Sequence, residues 1–258
     1  MGQTLSAQGD SLFVLLRTLS PPHVTHLYTD AMGQLYAQTG RNTLIKYSAD
    51  GDSLFRFSDN NAGAISFFDG SNPLTPMMWS EDFQKITFLD RTLNINGRLI
   101  LTDLNLTDVR AIGLSNQNTI WLYDAYDYKL KNLDYTGRVL RESSPLLTWT
   151  GADFNPTLLR QQDNLVFLND PEQGIFIFDV FGNYVTHIPV KHLPEFQLLE
   201  GQVYYRQGET LLQFNLQTLS TRPVFLPKNL PAKAKQWCIG KGRLFVLDKA
   251  GKIQVFKF

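Results

Sequence analysis

The sequence is short of the residues that most readily announce chemistry. Of its 258 residues one is cysteine, Cys238, and four are histidine. A single thiol excludes an internal disulfide, and it excludes zinc or iron–sulfur sites built from several thiolates. Cys238 sits in the run Gln236-Trp237-Cys238-Ile239, where a buried, inert thiol is expected in place of a nucleophile. Charge is sparse at 19%, and it cancels: 24 basic residues face 24 acidic ones. Without a positive excess the chain does not read as a sequence-independent nucleic-acid binder, whose affinity comes from neutralised phosphates. No apolar run approaches the ~18 residues of a membrane span, so no transmembrane segment is expected. No Gly-x-Ser-x-Gly elbow, phosphate-binding loop or dinucleotide fingerprint occurs. Residues 1–10 contain no basic residue and no apolar stretch, so they read as a flexible lead-in and not as a signal peptide. That leaves a cytoplasmic chain, or an exported one whose leader and lipid-anchor cysteine are missing from this sequence.

What is present is apolar and periodic. Apolar residues make up 43% and aromatics 12%, enough for a large core. A short strand rich in aromatic and β-branched residues recurs six times, anchored on Leu35, Ile86, Ile120, Leu165, Val203 and Leu244. The spacings are 51, 34, 45, 38 and 41 residues, which matches the roughly 40–45 residues of a four-stranded propeller blade. A second strand follows most anchors, as in Ile175-Phe176-Ile177-Phe178 and Ile253-Gln254-Val255-Phe256. Glycine turns such as Asp50-Gly51, Thr136-Gly137 and Phe181-Gly182 then lead to a third. The second repeat is the weakest, and Asn96-Gly97 is its expected turn. The last repeat ends at Phe258 one strand short, while residues 11–19 offer a free strand before the first repeat. Pairing the two would close the ring and remove its open edges. The expectation is therefore all-β: one six-bladed β-propeller domain over residues 1–258, with four-stranded antiparallel blades. A β-sandwich, or five blades with extra strands, is the alternative.

Two family resemblances follow from these residues. The segments from Ile120-Trp121-Leu122-Tyr123-Asp124 to Asp134-Tyr135-Thr136-Gly137, and from Leu165-Val166-Phe167-Leu168 to Asp179-Val180-Phe181-Gly182, resemble NHL-type repeats. Leu244-Phe245-Val246-Leu247-Asp248 fits the first half of that pattern. Residues 72–144 are similar to uncharacterised, exported six-bladed propellers of Bacteroidota. The resemblance implies a periplasmic or outer-membrane-associated protein and no defined activity.

Candidate chemistry is thin. Asp90, Asp124, Asp170 and Asp248 recur at strand ends, but aspartate caps turns through its own backbone, and a repeated aspartate is first a turn residue. His23 and His26 lie three apart on a strand, a spacing that points them to opposite faces, and His187 and His192 stand apart from them. No metal site, cofactor or catalytic residue is expected from these. Six-bladed propellers also include metal-dependent lactonases and other enzymes with a central-channel site. Asn72, Asp108, Asn155 and Glu195, read as lying near the starts of innermost strands, are the candidates for that alternative.

The irregular features are aromatic. A long connection over residues 58–72 carries Phe67-Phe68 and leads to Met77-Met78-Trp79, which either packs between blades or contributes to a surface. Tyr126 and Tyr128 lie in a turn, and Trp149 and Phe154 in a further connection. Phe68, Trp79, Tyr126, Tyr128, Trp149 and Phe154 form the expected interaction surface, since exposed Tyr and Trp anchor protein interfaces. Charge is segregated as well. Residues 228–258 hold eight basic residues against Asp248 alone, a balance of +7, whereas residues 50–134 hold twelve acidic against seven basic, or −5. Lys233, Lys235, Lys241, Arg243, Lys249 and Lys252 form a candidate basic patch able to steer an oriented partner. The leading expectation is a non-enzymatic scaffold that binds a protein, within a membrane-associated complex. A metal-dependent hydrolase and a small-ligand or glycan-binding propeller are the alternatives.

Overall fold

The computed structural model describes residues 13–59, 61, 63–224, 226, 230 and 234–258. The expected flexible lead-in, and Lys233 of the expected basic patch, lie outside these residues.

Among the described residues six sheets of four antiparallel strands follow one another along the chain. The strand β1 (Val14–Leu19) comes first. Blade 1 comprises β2 (Val24–Thr29), β3 (Leu35–Thr39), β4 (Thr43–Tyr47) and β5 (Ser53–Ser58). Blade 2 comprises β6 (Phe67–Asp69), β7 (Met77–Ser80), β8 (Lys85–Leu89) and β9 (Ile95–Ile100). Blade 3 comprises β10 (Val109–Leu114), β11 (Ile120–Asp124), β12 (Lys129–Leu133) and β13 (Val139–Glu142). After the one-turn helix α1 (Leu147–Thr150), blade 4 comprises β14 (Leu158–Gln162), β15 (Leu165–Asp170), β16 (Gly174–Asp179) and β17 (Tyr184–Ile188). Blade 5 comprises β18 (Phe196–Leu199), β19 (Gln202–Gln207), β20 (Thr210–Asn215) and β21 (Ser220–Pro223). Blade 6 has β22 (Ala234–Gly240), β23 (Arg243–Asp248) and β24 (Ile253–Lys257), and β1 completes it by pairing antiparallel with β24. The expected six-bladed, all-β propeller closed by its N-terminal strand is thus the observed fold. In blades 1 to 5 the first strand lies innermost, and in blade 6 β22 does, beside β2 and β18, with β1 at the outer edge. The rim at which second strands turn into third strands, and at which blades are joined, is called upper here, and the opposite rim lower.

The period-two alternation of the strands sends side chains to two faces, and each face meets a neighbouring blade. Met77 and Trp79 enter the cluster between blades 2 and 3, while Met78 enters the one between blades 1 and 2. Six such apolar clusters occupy the six seams among the described residues. The ring is therefore held from blade to blade without a single central core.

The repeated aspartates are turn residues. At Asp134, Oδ1 accepts the N–H groups of Thr136 (2.9 Å) and Arg138 (3.1 Å), and Gly137 N–H returns to Asp134 O at 3.0 Å. The Thr136 hydroxyl, leading these bonds, holds the Asp134 carboxyl down at about 2. Gly137 takes φ +89, open to glycine at little cost. The expected turn at Asn96-Gly97 is corrected: both residues lie within β9, and the turn runs from Asp90 to Asn94. Leu93 holds the left-handed position there at φ 68, and its side chain is buried between blades 1 and 2, so no glycine marks the turn.

Candidate functional site

Two side chains, from blades 2 and 4, meet across the ring. Phe67 of β6 packs against the clusters of seams 1–2, 2–3 and 4–5, with the Arg160 guanidinium 4.5 Å above its ring. Arg160 of β14 also pairs with Asp69 at 3.0 Å. Asp69 is buried, and its other oxygen accepts the Leu114 N–H at 2.9 Å. Phe67-Phe68 was expected in a connection. The two residues instead begin the innermost strand of blade 2, so the reading of a long loop up to residue 72 is corrected.

Around this contact, glutamine amides join the blades. Gln236 of β22 accepts Leu27 N–H at 2.7 Å and donates to Leu27 O at 3.0 Å, as a strand backbone would. Gln84 does the same with Val109 at 2.9 and 3.1 Å. Gln197 donates to Trp237 O and accepts Ile239 N–H. These bridges give partners to backbone groups of Leu27, Val109, Trp237 and Ile239 that face away from their own sheets.

The candidate channel residues do not converge. Asn72 lies in the lower-rim loop after β6, where it caps Leu74 N–H and donates to Asn118. Its expected position at the start of an innermost strand is corrected. Asp108 is paired with Arg110, and Asn155 is exposed, with its N–H bound to Asp170. Glu195 alone reaches the inner wall. Its Oε2 accepts from Gln236 Nε2 at 2.8 Å, and burial pushes its carboxyl up to about 7 against the pull of Gln236, Arg160 and Arg206. It opens onto a cavity of 230 Å³ between blades 5 and 6 on the upper rim. Among the described residues no group of three His, Cys, Asp or Glu side chains could hold a metal ion. His187 bonds Gln173 O and stacks on Phe176, and His192 faces Glu172 at 3.3 Å. Burial, then Lys235, lowers the His26 pKa. Cys238 is buried against Thr29, and burial pushes its thiol up to about 12, where it is not a nucleophile at neutral pH.

The six expected aromatic residues divide. Phe68, Trp79 and Phe154 are buried in seams, so their place on an exposed surface is corrected: alternation along β6 and β7 turns Phe68 and Trp79 onto neighbouring blades, and Phe154, in the connection before β14, packs edge-on against Tyr123 and Phe176. Tyr128 is half-buried in a left-handed turn position. Tyr126 is 81% exposed and Trp149 54%. Leu146 anchors the segment between them, with its side chain buried in seam 3–4 and its N–H on Tyr128 O. Trp149 lies flat on Tyr184 of β17, with centroids 4.7 Å apart and planes 7° apart. Phe181 is exposed at the same seam, under Arg141. The contribution of Tyr184 and Phe181 was missed in the sequence, because the reading assigned both to a repeat turn and its strand.

The basic patch also divides, because successive antiparallel strands carry residues to opposite ends. Ala234 pairs with Asp248, and Gly240 with Arg243. Lys235, Lys249 and Lys252 are therefore at the upper rim, whereas Lys241 and Arg243 are at the lower rim. Arg243 is committed to Asp50 (2.6 Å) and Ala49 O, across the closing seam. The upper rim keeps the polarity nonetheless. Glu81, Asp82, Asp103 and Asp153 are exposed on the turns and connections of blades 2 and 3, two to three blades from the lysines.

Among the described residues no helix is long and apolar enough to cross a membrane. No family model and no curated protein matches the chain. Solved structures do. The WD40 domain of Neurospora crassa Pan2 is 10% identical, with a TM-score of 0.67 and 96% of each chain covered. A catalytically inactive virginiamycin B lyase from Staphylococcus aureus, solved with quinupristin, is 11% identical with a TM-score of 0.65, covering 95% of this chain and 99% of that one. A chain in the mitotic checkpoint complex is 9% identical with a TM-score of 0.58, covering 100% and 95%. Such likenesses, spread over a WD40 domain, a chain of a checkpoint complex and a lyase, show the fold and leave this chain's activity to be argued from its own residues.

Proposed function

We propose that the protein is a non-enzymatic propeller scaffold that docks a protein partner at the junction of blades 3 and 4, within an extracytoplasmic, envelope-associated complex. The observation that carries the reading is the Trp149–Tyr184 stack. A half-exposed tryptophan would normally lose side-chain freedom on binding, whereas this ring is already held flat against its neighbour. Preorganised aromatic anchors of this kind supply much of the energy of protein interfaces. Tyr126, Phe181 and Arg141 extend the surface, and the acidic rim of blades 2 and 3 beside it favours a partner with basic residues. The envelope location is supported by the resemblance of residues 72–144 to exported propellers.

The test is site-specific photocrosslinking in the native host. A crosslinking residue replacing Tyr126 should capture one defined protein. The same residue replacing Met32, exposed on the lower rim of blade 1, should not. Equal capture from both positions would remove the assignment.

A further inference from the structure

The strand β1 closes the ring while adding little to its core. Val14, Leu15 and Leu16 are 58%, 41% and 41% exposed, and of the whole strand only Leu19 is half-buried, against the cluster between blades 6 and 1. Its partners are the β24 backbone, from Val14 opposite Lys257 to Leu19 opposite Ile253, and a turn of blade 1 beside it. In that turn Asp52 Oδ1 accepts from Arg17 at 2.6 Å, and Gly51 O does so at 3.1 Å. Phe13, just ahead of the strand, rests on Phe258 with centroids 5.2 Å apart.

The link from β1 to the ring is short. Four residues, Ser20-Pro21-Pro22-His23, lead from Leu19 to Val24. The other five passages from an outer strand to the next inner one run over 59–66, 101–108, 143–157, 189–195 and 224–233, seven to fifteen residues each. Proline fixes φ at two of the four positions, and the residue ahead of each proline is biased to an extended backbone. The chain nevertheless bends at Pro22-His23, with His23 at φ 51, a left-handed value that its β-carbon opposes. The hinge sequence favours a straight path, whereas closure of the chain's own ring requires a bend.

We propose that β1 exchanges between two copies of this chain, each β1 passing along a straightened hinge to complete blade 6 of the other. The ladder to β24, the Arg17–Asp52 pair and the Phe13–Phe258 contact are the same whichever copy supplies the strand. What changes is the hinge, which gives up its bend, and short hinges under strain favour such exchange. Little else keeps the strand on its own ring, since its side chains are mostly exposed. Blades 3 and 4 take no part, so the dimer presents the surface of Tyr126 and Trp149 twice.

The experiment holds the protein at high concentration near its unfolding midpoint, cools it, and counts chains per particle by light scattering. A fraction with two chains is expected, persisting on dilution because return requires β1 to reopen. Thr18 pairs with Gln254 in the ladder. A mixture of Thr18→Cys and Gln254→Cys chains should therefore form a disulfide between chains in the dimer fraction and none in the monomer fraction. The native Cys238 is buried and does not compete. His23→Gly accepts the left-handed angle, and Pro21→Ala/Pro22→Ala frees the hinge to bend. Each should lower the dimer fraction at least fivefold while the ring stays folded. Three results would overturn the proposal: one chain per particle throughout, a dimer whose introduced thiols do not join different chains, or a dimer fraction unmoved by both hinge variants.

Discussion

Asp69 of blade 2 and Arg160 of blade 4 form an ion pair of 3.0 Å that passes over blade 3. The skipped blade takes part through the Leu114 N–H on the second oxygen, so one buried carboxylate ties three blades at the axis. Removing one partner of such a pair leaves an uncompensated buried charge. Asp69→Ala is expected to cost ~3–5 kcal/mol in urea unfolding, and the double variant Asp69→Leu/Arg160→Met is expected to recover much of that loss. A cost below ~1 kcal/mol for Asp69→Ala would show that the pair does not hold the axis.

The Gln236 amide replaces a strand edge for Leu27. Gln236→Leu keeps most of the volume but strands a buried N–H and C=O, at ~1–3 kcal/mol for each. The hydrogen-exchange protection of Leu27 should fall in parallel. Unchanged protection would mean that neighbouring groups supply the bonds.

Stability should carry a signature of Glu195. Burial raises its folded value to about 7, above the ordinary ~4.3 of the unfolded chain. The folded state then binds more protons than the unfolded state between these values. The contribution is full below about pH 4.3 and is lost as pH rises through 7. Relative to Glu195→Gln, the wild type should lose roughly 2–3 kcal/mol between pH 4 and pH 8. His26 acts in the opposite sense, since burial lowers its value and stability is lost as pH falls through 6.5, but it is common to both proteins. A flat difference across this window would place Glu195 in water.

The glycine turns differ in what surrounds them. An added Cβ at Gly137 meets the Leu104 side chain of the preceding blade, and one at Gly182 meets Ser143. Gly251 shares the positive φ but has open space. Gly251→Ala should therefore cost only the backbone penalty of ~1 kcal/mol, while Gly137→Ala and Gly182→Ala add the expense of opening a seam, ~1–3 kcal/mol more. Similar melting temperatures for all three would refute the turn-to-blade packing.

The ring was legible in the sequence because it is built from local pattern. Anchors such as Leu165 and Leu244 alternate with period two, and the turn beginning at Asp134 carries its aspartate and glycine at fixed offsets. The turn from Asp90 to Asn94 was not legible, because a buried leucine takes the left-handed position usually given to glycine. The axis was hidden for a different reason. Phe67, Asp69 and Arg160 meet only through closure of the whole ring, and no spacing along the chain reports a contact between blades 2 and 4. The same applies to Gln236 and Leu27, which are 209 positions apart. The aromatic surface was half legible: the sequence pointed to Trp149 and Tyr126, but strand phase, which decides that Phe68 and Trp79 face inward, becomes readable only once register is known, and Phe154 is buried by a connection that folds back onto the seam between blades 3 and 4.

The measurement that most directly tests the scaffold reading is the affinity of the protein captured at Tyr126 for purified variants of this chain. Trp149→Ala and Tyr126→Ala should each weaken binding at least tenfold, the ~2 kcal/mol of an interface anchor. Met32→Ala and Glu195→Gln should leave it unchanged. Binding that survives the double variant Tyr126→Ala/Trp149→Ala with the affinity of the wild type would contradict the assignment of blades 3 and 4 as the docking surface.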